Sequence, residues 1–116
     1  MNIAIDIDGT ITKNPRVFLK LMLKWKFGGN EVVLLTGNGD GTMTRKARLI
    51  QLRGLGIPEY AYHNLVIAEG DGELLVAKEK ARILNILSTD IFIDDNFDNI
   101  AEAKKRNPNL LVFEPH

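Results

Sequence analysis

Residues 2–10 read N-I-A-I-D-I-D-G-T, an apolar run rich in β-branched residues that breaks into two carboxylates and a turn. A short run of this kind, bounded by turn residues, predicts a buried strand followed by a loop. Its apolar residues are consecutive rather than alternate, the pattern of a strand covered on both faces, as in a parallel sheet. Asp6 and Asp8 fall where that strand ends. Two carboxylates at i and i+2 beside a buried strand repel one another and lose hydration, so the position calls for a cation or a catalytic task to compensate.

The same strand–loop–helix unit recurs along the chain. In residues 16–27, Val17, Phe18, Leu21, Met22 and Trp25 recur at helical spacing between Lys20, Lys24 and Lys26, after a Pro15 suited to a first turn and before Gly28-Gly29. Residues 31–35 (E-V-V-L-L) predict a second strand, and the T-G-N-G-D-G-T loop from Thr36 leads into a helix over about 44–55, closed by Gly54 and Gly56. Residues 65–68 form a weaker strand candidate, and E-G-D-G-E at 69–73 reads as a tight turn into 74–77, the second arm of a small hairpin. A helix over 78–87, a strand over 90–93, a helix over 99–106 and a last strand over 110–113 complete the series. The expected architecture is α/β: a three-layer α/β/α Rossmann-like domain around a mostly parallel sheet of about five strands, one domain over residues 1–116. Ligands of such sheets bind beyond the carboxyl ends of the strands, so Asp6, Asp8, Thr36, Gly37, Asp94 and Asp95 are expected in one crevice.

Composition bounds the function. The 116 residues carry 15 Lys+Arg against 15 Asp+Glu, with 45% hydrophobic residues and no Cys, which removes disulfides, thiolate metal sites and Cys nucleophiles. Mean hydropathy is −0.07, and the longest apolar runs, 32–35 and 110–113, are too short to cross a bilayer. Residues 1–7 lack the basic and apolar regions of a signal peptide, so a cytoplasmic protein without a membrane partner is expected. The charge is unevenly spread: residues 1–53 hold nine basic and four acidic residues, while Asp90, Asp94, Asp95 and Asp98 crowd into nine positions. With Asp6 and Asp8 at one strand end and Asp94-Asp95 after another, the simplest compensator is a hard divalent cation with oxygen ligands, Mg²⁺ above all.

D-I-D-G-T at 6–10, L-L-T-G-N at 34–38, a lysine at 78 or 80 and I-D-D-N at 93–96 resemble, in order, the four motifs of the haloacid dehalogenase (HAD) superfamily of phosphotransferases. The resemblance implies a Mg²⁺-dependent phosphohydrolase that cleaves phosphomonoesters through an aspartyl-phosphate on Asp6, with Asp8 as acid and base. It implies that Asp6, the backbone carbonyl of Asp8 and Asp95 hold the metal, with Asp94 assisting, and that Thr36 and the Gly37 amide bind phosphate. Lys78 and Lys80 are both available as the family's phosphate-neutralising lysine. Ala77, Ala81, Leu84 and Leu87 share a helical arc that contains Lys80 and not Lys78, which favours Lys80. Thr10 is expected to stabilise the first turn, and Asn38, Asp40 and Asn99 to act around the substrate or the metal.

The intervals between motifs leave no room for the cap domain that many relatives insert, so a capless member is expected. An uncovered site suits a large phosphorylated substrate, such as a nucleotide or nucleic-acid end, or a partner chain as lid, hence a homo-oligomer. Lys13, Arg16, Arg45, Lys46 and Arg48 follow the first two motifs and are expected to line the mouth and attract a polyanion, although no motif for stable nucleic-acid binding is present. The alternatives are a phosphotransferase to an acceptor other than water, and a catalytically silent phospho-ligand-binding or signalling module on the same fold.

Overall fold

A computed structural model describes residues 1–115. Five strands form one all-parallel sheet: β1 (Asn2–Ile5), β2 (Glu31–Asn38), β3 (Asn64–Glu69), β4 (Ile91–Ile93) and β5 (Leu111–Phe113), in the order β3-β2-β1-β4-β5. Four helices connect them: α1 (Pro15–Phe27), α2 (Arg45–Gly54), α3 (Glu73–Ile86) and α4 (Phe97–Arg106). The chain starts at the centre, adds β2 and β3 on one side, then returns to add β4 and β5 on the other.

The strands' own alternation divides the core in two. Ile3 and Ile5 of β1, with Val32 and Leu34 of β2, face a cluster built on Phe18 and Met22 of α1 and Leu52 of α2. Ala4, Leu35 and Phe92 face the opposite cluster, with Val76 and Leu84 of α3 and Ala103 of α4. Apolar side chains thus point both ways from each strand, as the unbroken runs in the sequence require. The carboxyl end of β1 is the reversal point, flanked by β2 and β4, and it is there that a doubly wound sheet opens a crevice.

Two elements differ from the sequence expectation. Residues 74–77 are the first turn of α3 rather than an arm of a hairpin. Gly72, at φ +89°, turns the chain directly into the helix, and Val76, Lys80 and Leu84 then bury one stripe while Leu74 and Leu75 stay about half exposed. Four-residue spacing over fourteen positions overrides the turn signal of E-G-D-G-E. Likewise β2 runs on to Asn38, because Thr36, Gly37 and Asn38 pair with Ile67, Ala68 and Glu69 of β3. Thr36 and Gly37 are therefore strand residues held by the ladder, not parts of a loop.

Leu34 is fully buried at the centre of β2. Leu34→Ala is expected to lower unfolding free energy by about 2–5 kcal/mol, whereas Val17→Ala on the half-exposed face of α1 should change it by no more than about 0.5 kcal/mol. Denaturant titration of both variants reads the difference.

Candidate functional site

The site begins with a lysine in the wrong solvent. Lys80 is 1% exposed, and its Nζ donates to Asp6 Oδ1 at 2.8 Å and to Asp94 Oδ2 at 2.9 Å. Asp6 and Asp94 are themselves 5% and 0% exposed, one after β1 and the other after β4. A buried ammonium and two buried carboxylates are tolerable only with close geometry and further hydrogen bonds. Asp94 has them: its Oδ1 accepts from the Asn96 amide at 2.9 Å, and its Oδ2 also accepts from Asn99 Nδ2 at 2.9 Å. Asn96 in turn caps α4 by accepting from the Asn99 amide. Burial lowers the Lys80 ammonium, but the attraction of Asp6 and Asp94 outweighs it and the net direction is upward. Lys78 lies on the exposed face of α3, away from this cluster, so the helical arc separated the two lysines correctly.

Asp95 completes a triangle. Asp6, Asp94 and Asp95 each offer a carboxylate oxygen within 4.8 Å of the others, a grouping that can hold a metal ion. Asp94 is heavily engaged, while among the described residues Asp95 has only the exposed Lys13 at 4.0 Å. Gly9, at φ +78°, makes room for Asp95: a Cβ there would collide with the Asp95 carboxylate. Three carboxylates against one lysine leave about two negative charges at a largely buried point, which a hard divalent cation with oxygen ligands fits. The Asp8 carboxylate is outside this group.

Asp8 is held instead by α2. Arg48 Nη1 donates to Asp8 Oδ2 at 2.6 Å, and Gln51 Nε2 donates to Asp8 Oδ1 at 2.9 Å. The two clamp residues are themselves joined, Arg48 Nη1 to Gln51 Oε1 at 3.0 Å, from neighbouring positions three apart on one helix face. Arg48 Nη2 donates to the Gly37 carbonyl at 2.8 Å, tying the first loop to the end of β2. Partial burial pushes the Asp8 carboxyl up, but the Gln51 and Arg48 hydrogen bonds and the Arg48 charge more than offset it and hold it below the usual value. Arg48 was expected to line the mouth; it does line the cleft, but from a buried position, 3% exposed, and among the described residues its Nε has no partner. Gln51 carried no signal of its own beyond its spacing from Arg48.

In the same cleft as Asp6, Thr36 is 1% exposed and among the described residues its hydroxyl has no hydrogen-bond partner. Gly37 is demanded by packing, since a Cβ there would meet Val76 Cγ1 at 2.6 Å. Asn38 lines the cleft, but its amide braces the loop: Nδ2 donates to Glu69 Oε2 at 3.0 Å and Oδ1 accepts from the Met43 amide at 3.0 Å. Thr10 is buried with an unpartnered hydroxyl, while the turn is closed by Thr12, whose Oγ1 accepts from the Gly9 amide at 2.9 Å. Thr12 was not singled out in the sequence.

These groups share one open cleft of about 670 Å³ at the carboxyl edge of the sheet, lined by Asp6, Asp8, Thr36, Gly37, Lys80 and Asp95 among others. Of the five basic residues expected at its mouth, Arg48 lines the cleft and Lys13 lies 4.0 Å from Asp95 at its edge, while the other three do not line it. Arg45 turns to the Leu65 carbonyl, and Arg16 and Lys46 are exposed without lining the cleft. Among the described residues no helix is long and apolar enough to cross a membrane. No protein-family model matches the chain, and no curated protein matches it.

Burial raises the Asp6 carboxyl from 3.8 to about 7, against the pull of Lys80 and with the repulsion of Asp94 adding to the rise. A carboxyl raised in the fold stabilises the metal-free protein while protonated, so its contribution is complete below 3.8 and is lost as pH rises through about 7. A divalent cation needs the ionised carboxylate, so its affinity should climb by up to about tenfold per pH unit below neutrality. Thermal melts across this range, with EDTA and with Mg²⁺, should show opposite pH trends relative to Asp6→Asn. A wild-type melting temperature that rises with pH in EDTA, relative to that variant, would contradict the buried acid.

Proposed function

We propose that the chain is a Mg²⁺-dependent phosphohydrolase of the haloacid dehalogenase type, acting on phosphomonoesters through a covalent phosphate on Asp6. One juxtaposition supports this reading above all: Asp6, held by Lys80 through Oδ1, shares a cleft with the unpartnered Thr36 hydroxyl and with Asp95. A carboxylate is a competent nucleophile toward phosphorus when its charge is held in place and the incoming phosphoryl group is neutralised.

In this reading Oδ2 of Asp6 attacks phosphorus and the bond from phosphorus to the ester oxygen breaks. Asp8, whose clamp favours the ionised form, gives that oxygen a proton from its minor protonated population, so the alcohol leaves neutral. Water then attacks the phosphorus of the aspartyl-phosphate and passes its proton to Asp8, which releases inorganic phosphate and restores Asp6. Thr36 supplies a hydroxyl to a phosphoryl oxygen, and the Lys80 ammonium lies beside the atoms where charge builds up. Arg48 and Gln51 restrict Asp8, which otherwise sits on an exposed turn, to one orientation. Asp6 and Asp95 would hold Mg²⁺ with the Asp8 carbonyl, and the ion would supply electrostatic stabilisation of the transferring phosphoryl group.

Asp6→Asn is expected to lower Mg²⁺-dependent release of phosphate from a generic phosphomonoester by at least about 10³-fold while the protein stays folded by circular dichroism. Thr36→Val, which keeps shape and burial but removes the hydroxyl, should cost about 10-fold or more. Wild-type turnover that survives Asp6→Asn intact would overturn the assignment.

A further inference from the structure

The cleft's charges fall into two sets. Its lining cations, Arg48 and Lys80, are already engaged, Arg48 by Asp8 and the Gly37 carbonyl, Lys80 by Asp6 and Asp94. Its remaining charges, outside the metal group and the Asp8 clamp, are two exposed rim carboxylates, Asp40 and Glu73. Among the described residues neither forms an ion pair. In all, five lining carboxylates, when ionised, face two lining cations, a balance of −3 that a bound divalent ion reduces only to −1, and the exposed Lys13 at the edge lies 4.0 Å from Asp95.

The rim is held in place. The Gly72 amide donates to the Gly39 carbonyl at 3.2 Å, so the residues carrying the two carboxylates follow directly on a backbone bridge between the β2 loop and the start of α3. Asp40 Oδ1 accepts from the Thr42 amide at 3.0 Å and from the Thr42 hydroxyl at 2.7 Å, which fixes that carboxylate while leaving it in solvent. Independently, the buried and unpartnered Thr36 hydroxyl in the same cleft marks where a ligand's polar atom is missing. A ligand that satisfies Thr36 with its phosphoryl group would meet, at the rim, two carboxylates without an ion pair and, among the described residues that line the cleft, no cation without one.

We propose that Asp40 and Glu73 select phosphomonoesters whose alcohol carries an ammonium group and disfavour those whose alcohol is itself anionic. The inference rests on the hydrolase reading and deepens it by naming the substrate class. It reverses the polyanion expectation drawn from the basic residues, because Arg16, Arg45 and Lys46 do not line the cleft, Arg48 lines it already engaged by Asp8, and Lys13 lies beside Asp95.

A two-carbon series tests it with shape nearly constant: phosphoethanolamine, hydroxyethyl phosphate and phosphoglycolate. With Mg²⁺ at low ionic strength, kcat/KM should fall in that order, and the spread should narrow as salt screens the rim. Asp40→Asn and Glu73→Gln should each reduce the ratio of phosphoethanolamine to phosphoglycolate turnover by about two- to fivefold. Glu73→Gln alone carries the test if Asp40→Asn loosens the Thr42 turn. Calorimetric binding of the same three esters to Asp6→Asn in Mg²⁺ gives a readout independent of turnover. Turnover without charge preference, or a preference for phosphoglycolate, overturns the inference and leaves the hydrolase reading standing. Binding in the expected order without wild-type turnover overturns the hydrolase reading and supports the charge preference. Neither binding nor turnover of any ester overturns both.

Discussion

The buried bridge from Lys80 to Asp6 and Asp94 is the constraint on which the rest of the molecule depends. Its three members come from the ends of two adjacent strands and from the middle of a helix that reaches them only after the chain has crossed the sheet. Desolvating three charges costs several kcal/mol per ion unless each finds its partners at close range. The bridge is therefore satisfied only if β1 and β4 are neighbours, if α3 is placed so that Lys80 reaches both strand ends and if α4 starts where Asn96 and Asn99 can hold Asp94. Fold and site share a single set of contacts, and the carboxylate charge left over is of the kind a cation could offset.

Much of this was legible in the sequence because its signals are periodic or local. Largely apolar runs at 2–7, 31–35 and 90–93 marked strands buried on both faces, and their positions put the Asp6, Thr36 and Asp94 sites at one edge. The separation of Lys80 from Lys78 followed from a helix turning 100° per residue. The hairpin at 74–77 was misread because a four-residue window cannot distinguish a strand arm from a helix's first turn when Gly72 permits either; the burial of Val76 together with Lys80 decides it.

What sequence could not supply is partnership across the fold. Arg48 looked like one more exposed cation in a basic stretch, yet it is buried between Asp8 and the Gly37 carbonyl. Gln51 acquires a role only because Arg48 points inward and carries the same helix face with it. Asn38 shows the converse: a polar residue beside the second motif, in the cleft wall, whose donor and acceptor are both spent on Glu69 and Met43. Proximity to a motif predicts where a residue lies; the chemistry left to it depends on which of its atoms remain unpaired.

The charge pattern shows the same distinction on a larger scale. Nine basic residues against four acidic ones in 1–53 describe a basic half, but net charge is additive over the chain whereas the field in a cleft is set by the few groups that reach it. Arg16, Lys20 and Lys24 are displayed outward by α1, Arg45 bends to the Leu65 carbonyl, and Arg48 is neutralised by Asp8. Asp40 and Glu73, far apart in sequence, become neighbours of the same opening because the Gly39 carbonyl accepts from the Gly72 amide. At a Debye length of about 8 Å in physiological salt, the rim groups are felt by a small ligand in the cleft while the outward lysines are largely screened. The basic half of the sequence therefore acts on the solution around the protein, and the acidic rim acts on whatever enters the cleft.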